Sequence, residues 1–245
     1  MAVTGVLTAV LTGCGPGNRR ELVPATDRRP VVVVVAPVLN MSDSSAWDSL
    51  KVTDMVASEL QTFDGVVVIP VNRALAALAL RGQSAVETPE DALALAEELG
   101  ADATVVTAVT EYHPYDPPRV GMVMQWYGLR RAADGPGFDP VSASRQASAV
   151  EPGERGGSGE PGPEYQVQRV FDAARPDVLE EVKAFARWRK GSASPYGWRV
   201  YLKSQELFVR YCCWSAIRSM LLARQHRSWG RGEPEADEWT RRGGA

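Results

Sequence analysis

Hydrophobic residues in the first part of the chain alternate between continuous β-branched runs and helical spacing. Val31–Val35 is a continuous β-branched run, which is typical of a strand buried on both faces of a sheet. Residues 47–63 carry apolar side chains at helical intervals, which predicts an amphipathic helix that ends at Asp64 and Gly65. Residues 66–69 then repeat the strand pattern.

The same two patterns continue to residue 127. An Ala/Leu-rich segment at 72–81 predicts a second helix. Residues 88–91, Thr-Pro-Glu-Asp, predict the start of a third, because a capping Thr, an early Pro and acidic residues in the first turn favour a helix amino terminus. That helix ends at Gly100. Residues 103–109 and 120–127 predict two strands, joined as a hairpin by the turn YHPYDPPR.

Composition changes sharply in the second half of the chain. Residues 131–163 are rich in Gly and Pro and nearly free of large apolar side chains, so burial cannot offset their ordering entropy. We expect this segment to be a disordered insert. A strand is predicted at 165–171, a helix at 176–189, and one long aromatic helix from 198 to about 224. Residues 227–245 are polar and are expected to form a disordered tail.

Together these elements predict the α/β class, as an α+β sandwich with a small mixed sheet of about four to five strands and helices packed on it. The α/β domain would span residues 31–130, and residues 164–226 would form a helical C-terminal region that packs on its core. No apolar run reaches the length of about 20 residues that a membrane-spanning helix needs. The stretch at 207–222 contains Arg210 and Arg218 and predicts a buried amphipathic helix.

The amino terminus carries the most specific motif. Residues 1–11 are apolar and uncharged, and Leu11, Thr12 and Gly13 precede Cys14 in a pattern that resembles the bacterial lipobox. The resemblance implies lipidation of the Cys14 thiol, cleavage of the signal peptide between Gly13 and Cys14, and further acylation by chains such as palmitate. Several acyl chains, at about 0.8 kcal/mol per buried CH₂, anchor a protein firmly.

The residues after the cysteine fit the start of a mature lipoprotein. We predict a signal peptide at 1–14 and a flexible tether at 15–30, which contains Gly, Pro and Arg. The first basic residue is Arg19, whereas a signal peptide begins with a basic segment. We therefore expect the true start codon to lie upstream of Met1. Gly15, in place of Asp, resembles the sorting signal for the outer membrane, with the protein facing the periplasm.

Residues 31–127 resemble a small α/β domain shared by the amino-terminal domain of TolB, the LpoB-type activators of penicillin-binding proteins and the CsgG-type lipoproteins. The resemblance rests on a strand followed by APVLNMSDSS, a strand carrying VVVIP, and residues 94–128, where Gly100, Ala101 and Asp102 join a helix to a strand. Relatives tend to have Pro-Phe-x-Asn where this chain has Val38 in place of Phe. The resemblance covers about two-fifths of the chain and implies an envelope binding or assembly role without catalysis.

Composition argues against several other classes. The net charge of −3 and the pI near 5.6 argue against a nucleic-acid binder. Cys212 and Cys213 are neighbours, and we interpret them as small buried residues. Glu180 and Glu181 are expected to be solvated. The chain lacks catalytic and metal-binding motifs, so we predict no catalytic residues, no metal site and no cofactor.

The YHPYDPP turn is the candidate contact site for a protein partner. Its members are Tyr112, His113, Tyr115, Asp116 and Pro117, and tyrosine is enriched at interface hot spots. The alternative is that the two tyrosines pack over the end of the sheet while the prolines stiffen the turn.

The sequence therefore favours a membrane-anchored, non-enzymatic binding or assembly factor with an envelope protein as its partner. One alternative is a domain that binds or hydrolyses a small ligand, for which His113 would be the catalytic histidine. The other is a subunit of an oligomeric secretion complex, and the oligomeric state is open.

Overall fold

The computed structural model describes residues 30–129, 150–151, 162–189 and 195–229. It confirms the predicted α/β class, because the described residues form one mixed sheet with helices packed on it. The strands are β1 (Val31–Val35), β2 (Leu39–Asn40), β3 (Val66–Val68), β4 (Ala103–His113), β5 (Arg119–Gly128), β6 (Val150–Glu151) and β7 (Tyr165–Asp172). The α-helices are α1 (Ser49–Leu60), α2 (Val71–Leu80), α3 (Pro89–Leu99), α4 (Pro176–Trp188), α5 (Val200–Lys203) and α6 (Gln205–Trp229).

The strand order gives the sheet two distinct ends. The order is β3-β1-β4-β5-β7-β6, and the short β2 pairs with the far part of β4. β1 runs parallel to β3 and β4, whereas β5 is antiparallel to β4 and β7. The carboxyl ends of β4 and β7 therefore lie together with the β4–β5 turn, and we call this the turn end. β1 begins at the opposite end, which we call the entry end.

Two layers of helices enclose the sheet. α1, α4 and α6 cover one face, where the large buried side chains include Trp126, Phe171, Phe185, Phe208 and Tyr211. α2 and α3 cover the other face and pack mainly on β1 and β4. Cys212 and Cys213 are fully buried in α6, which confirms that they pack as small core residues.

Local side-chain chemistry explains where two helices begin. Asp48 caps α1, because its carboxylate accepts hydrogen bonds from the backbone N–H groups of Leu50 and Lys51. α3 begins with the predicted Thr88 and Pro89, and the Asp91 side chain completes a capping box.

The predicted long aromatic helix is interrupted. A 3-10 turn at Gly197–Arg199 leads into α5, and Ser204 then adopts an extended backbone, with φ −104° and ψ 116°. Its hydroxyl accepts a hydrogen bond of 3.3 Å from the Leu207 N–H, as a helix cap does. The apolar spacing continues across this break, which is why the pattern alone predicts a single helix.

Several predicted segments lie outside the described residues. These are the signal peptide with Gly13 and Cys14, the tether apart from residue 30, and most of the 131–163 insert and of the tail. Within the insert, Val150–Glu151 forms β6 and pairs with β7. No helix in the described part of the chain is both long enough and apolar enough to cross a membrane.

Candidate functional site at the turn end

The β4–β5 hairpin positions the predicted contact residues. β4 and β5 pair from Ala103 and Gly128 to His113 and Arg119, with a register shift between Val109 and Glu111. Residues 114–118 close the hairpin, and the Asp116–Pro117 peptide bond is cis. The turn therefore projects from the end of the longest strand pair in the described sheet.

The structure divides the predicted contact residues between the core and the surface. Tyr112 is buried, so its side chain lies outside the exposed part of the turn. Its ring centroid is 6.1 Å from that of Trp47, and its hydroxyl donates a hydrogen bond of 3.4 Å to Gln205. Burial raises the pKa of Tyr112. Tyr115, by contrast, is 82% exposed.

The charged members of the turn are held by ion pairs. Asp116 pairs with Lys203 at the end of α5. The His113 Nε2 atom lies 3.3 Å from a carboxylate oxygen of Glu111. Arg119 donates a 2.7 Å hydrogen bond from Nε to the same oxygen, and this bond with Glu111 raises the pKa of Arg119. These contacts orient the turn relative to the sheet and to the helical layer.

The loop after β2 lies beside the turn. Met41 donates its backbone N–H to Val109 in β4, yet its side chain is 63% exposed. Ser42 accepts a 3.2 Å hydrogen bond from the Trp47 indole, and Trp47 in turn contacts Tyr112. Two apolar side chains are thus exposed, Met41 at the level of Val109 in β4 and Tyr115 in the turn itself.

Sequence reasoning missed a buried ionic cluster below this surface. Glu59 in α1 is fully buried, and its carboxylate binds Arg189 after α4 and Arg210 in α6, the latter at 3.1 Å. Helical spacing places Glu59 on the buried face, seven residues after Val52 and three after Val56, and only its charge argued against a core position. The cluster joins three helices of one layer.

Glu181 is only partly solvated, since its side chain is 40% exposed and also belongs to a polar cluster. Its carboxylate accepts hydrogen bonds from Arg169, at 2.5 Å, and from the hydroxyl of Tyr211, at 2.8 Å. Burial is the main reason that the pKa of Tyr211 rises far above its usual value. Glu180, as expected, is exposed, and it pairs with Lys183.

Both polar clusters bind their members to one another. Among the described residues, no group of three or more His, Cys, Asp or Glu side chains is placed to hold a metal ion. Of the features described here, the exposed part of the turn remains the candidate for contact with a partner.

No protein-family model matches the chain, and no curated protein matches it. Solved structures similar to it include the LpoB C-terminal domain from Salmonella enterica, with 17% identity over 41% of this chain and 73% of that chain, at a TM-score of 0.35. Lipoprotein GNA1162 from Neisseria meningitidis has 20% identity over 46% of this chain and 89% of that chain, at a TM-score of 0.32. The hypothetical protein CT253 from Chlamydia trachomatis has 14% identity over 79% and 99%, at a TM-score of 0.36. At these values no function follows from the likeness.

Proposed function

We propose that this chain is an exported lipoprotein that is cut between Gly13 and Cys14 and is held at a membrane by lipid on Cys14. In this proposal it faces the periplasm, at the outer membrane, and acts without catalysis by binding or assembling an envelope protein. The lipobox pattern at Leu11–Cys14 supports the anchor. The described structure supports the second half of the proposal through the placement of the turn.

The carrying observation is that the chain enters the described fold at the opposite end of the sheet from the turn. The chain enters the fold at residue 30, immediately before β1, at the entry end. β4 has 11 residues and runs from the entry end to the turn end. At about 3.3 Å per residue, it places the turn roughly 36 Å from the entry end. A lipid on Cys14 would thus tether the molecule through its entry end, and the turn would lie at the opposite end of the sheet.

The chemistry of the turn suits a protein partner. Tyr115 offers a large amphipathic ring that is already exposed, and Pro114, Pro117 and Pro118 restrict the backbone around it. A rigid turn loses little conformational entropy on binding, so more of the contact energy appears as affinity. Tyrosine is also among the residues enriched at interface hot spots.

Mass spectrometry of protein isolated from its native membrane tests the anchor. We expect an amino-terminal peptide that begins at Cys14 and carries a diacylglyceryl mass. The Cys14→Ala variant should remain uncut and unlipidated. A wild-type protein with an unmodified Cys14 thiol in a soluble fraction would overturn the anchor.

Site-specific photo-crosslinking tests the contact. A photoreactive residue in place of Tyr115 should give a discrete adduct with one envelope protein in intact cells. The matched control is a photoreactive residue in place of Leu80, which is 86% exposed and lies in α2. The same adduct at both positions, or at neither, would reject the turn as the contact site.

A further inference from the structure

Positive charge is concentrated in the C-terminal third of the chain. Residues 182–232 contain eleven Lys or Arg residues and a single acidic residue, Glu206, although the whole chain has a net charge of −3. The acidic residues that balance this segment therefore lie elsewhere in the sequence. The question is where the fold places these cations.

Part of this charge is exposed on the helical layer formed by α4 and α6. Arg187 near the end of α4, Arg199 before α5, and Arg218 in α6 are all exposed. None of the three forms an ion pair with a carboxylate in the part of the chain that the structure describes. By contrast, Arg189 and Arg210 both form ion pairs with the Glu59 carboxylate. The exposed arginines thus give this layer positive charge, which the Glu180 carboxylate in α4 offsets in part at Arg187.

Aromatic rings lie between these cations. Lys183 and Arg199 each stack on the Trp198 ring, with their charged groups 5.0 Å from its centroid. The Trp188 and Trp214 ring centroids are 5.6 Å apart, and the Arg218 guanidinium lies 5.8 Å from the Trp214 ring. Tyr196, just before Trp198, is 68% exposed. We define the cationic aromatic surface as Arg187, Trp188, Tyr196, Trp198, Arg199 and Arg218.

The part of this surface around Trp188, at the end of α4, lies at the entry end of the molecule. Arg189 follows Trp188 directly and binds Glu59, which lies in the last turn of α1. α1 starts after the carboxyl end of β1 and returns towards β3, whose register pairs Val66 with Val31. The end of α4 is therefore close to the end of the sheet where residue 30 enters.

We propose that the cationic aromatic surface binds an anionic lipid bilayer. Arginines near a bilayer surface are attracted to acidic headgroups, and Trp and Tyr rings favour the interface between headgroups and acyl chains. The surface carries both residue types, and among the described residues none of its three arginines forms an ion pair with a carboxylate. This inference goes beyond partner binding, and the choice of a bilayer over another polyanion rests on the proposed anchor, which brings the entry end to a membrane.

Vesicle co-sedimentation of the full chain tests the proposal. All proteins carry Cys14→Ser, so that no lipid anchor contributes and the result is independent of lipidation and of the turn. We expect binding to vesicles of phosphatidylcholine mixed with phosphatidylglycerol, and much weaker binding to phosphatidylcholine alone. The variant Arg187→Gln/Arg199→Gln/Arg218→Gln should bind the anionic vesicles at least about tenfold more weakly, because each cation near an acidic surface contributes severalfold to binding.

The matched control variant also loses three positive charges, but from arginines outside the cationic aromatic surface. Arg73→Gln/Arg81→Gln/Arg119→Gln changes three arginines outside the α4–α6 layer and should leave vesicle binding within about twofold of the parent if the effect is local. Circular dichroism checks that both variants fold. Equal binding to the two kinds of vesicle, or an equal loss in both variants, would overturn the proposal. Tighter binding to a DNA duplex than to anionic vesicles at the same salt, lost in the first variant, would also overturn it and identify a nucleic acid as the ligand.

Discussion

At the scale of single residues, the Glu59 carboxylate is the group whose removal should matter most to stability. It is fully buried between the guanidinium groups of Arg189 and Arg210. Those two side chains are only partly exposed, and the Nε atom of Arg189 is itself buried without a hydrogen-bond partner. Two arginine charges therefore depend on one carboxylate for compensation.

We predict that Glu59→Gln lowers the free energy of unfolding by about 3 kcal/mol, because it leaves two partly buried cations without a counter-charge. Urea denaturation followed by circular dichroism measures the loss. Glu98→Gln is the control, since Glu98 pairs with Arg81 at the surface and surface ion pairs add little to stability. Equal stability of the two variants would show that the cluster does not hold the helices together.

The two core thiols are expected to make the free energy of unfolding fall at alkaline pH. Burial raises the pKa of Cys213 to about 12 and that of Cys212 well above its usual value. Unfolded thiols ionise near pH ~8.5, so above that pH the unfolded chain releases protons that the folded chain retains. Both contributions to stability are therefore present below pH ~8.5 and are lost as the pH rises towards the folded-state pKa values.

We predict that the free energy of unfolding declines between about pH 8 and pH 10, by up to roughly 1.4 kcal/mol per pH unit for each ionised thiol. The variant Cys212→Ala/Cys213→Ala should be less stable at neutral pH but should show a flatter decline. Urea titrations of both proteins at several pH values measure the two slopes. Identical slopes would exclude the thiols as the cause.

At the scale of elements, the irregularity in the β4–β5 hairpin depends on one glycine. A Cβ atom on Gly121 would lie 2.7 Å from Thr110 Oγ1 and 3.0 Å from the Cβ atom of Glu111. Both residues are at the register shift in β4, so the absence of a side chain at 121 permits the close approach of the strands.

We predict that Gly121→Ala lowers the free energy of unfolding by about 1–3 kcal/mol, because the neighbouring strand must move to admit the methyl group. Thermal unfolding measures this change. Gly162→Ala is the matched control, since nothing lies within 4 Å of its added Cβ atom. A Gly121→Ala protein as stable as this control would mean that the hairpin accommodates the methyl group without cost.

Helices and strands could be predicted from the sequence where residue type or capping chemistry agrees with the burial that the fold imposes. The strand Val31–Val35 and the helix start at Thr88 follow from residue type and capping chemistry, and the structure contains both. The break at Ser204 was missed because it depends on backbone geometry that leaves the apolar spacing unchanged. β2 has only two residues and forms by pairing with β4, which no local pattern encodes.

The candidate site was predictable as a turn but not residue by residue. Tyr112 and Tyr115 stand three positions apart in one Pro-rich motif, which offers no reason to choose between them. Burial of Tyr112 depends on Trp47 and Gln205, which come from distant segments of the chain. Glu59 was missed for the same reason, since its two arginine partners lie more than a hundred residues away.

At the scale of the whole molecule, the C-terminal helices share one core with the α/β sheet. α6 packs against α1, β5 and β7, and its Phe208, Tyr211 and Ile217 side chains are almost fully buried. Because its contacts span residues from distant parts of the sequence, we expect the described fold to unfold as a single unit.

A core variant in α6 tests this expectation. We predict that Phe208→Ala lowers the free energy of unfolding by about 3–5 kcal/mol. Because Trp126 lies in β5 and Trp214 in α6, tryptophan fluorescence reports on both the sheet and the helical layer. Fluorescence and circular dichroism should give coincident transitions in wild type and variant, both shifted to the same lower urea concentration in Phe208→Ala.

Leu80→Ala, which truncates a side chain that is 86% exposed, should leave the transition unchanged. If Phe208→Ala separated the two transitions, α6 would unfold independently, and the C-terminal helices would be an appended layer on a self-sufficient α/β domain.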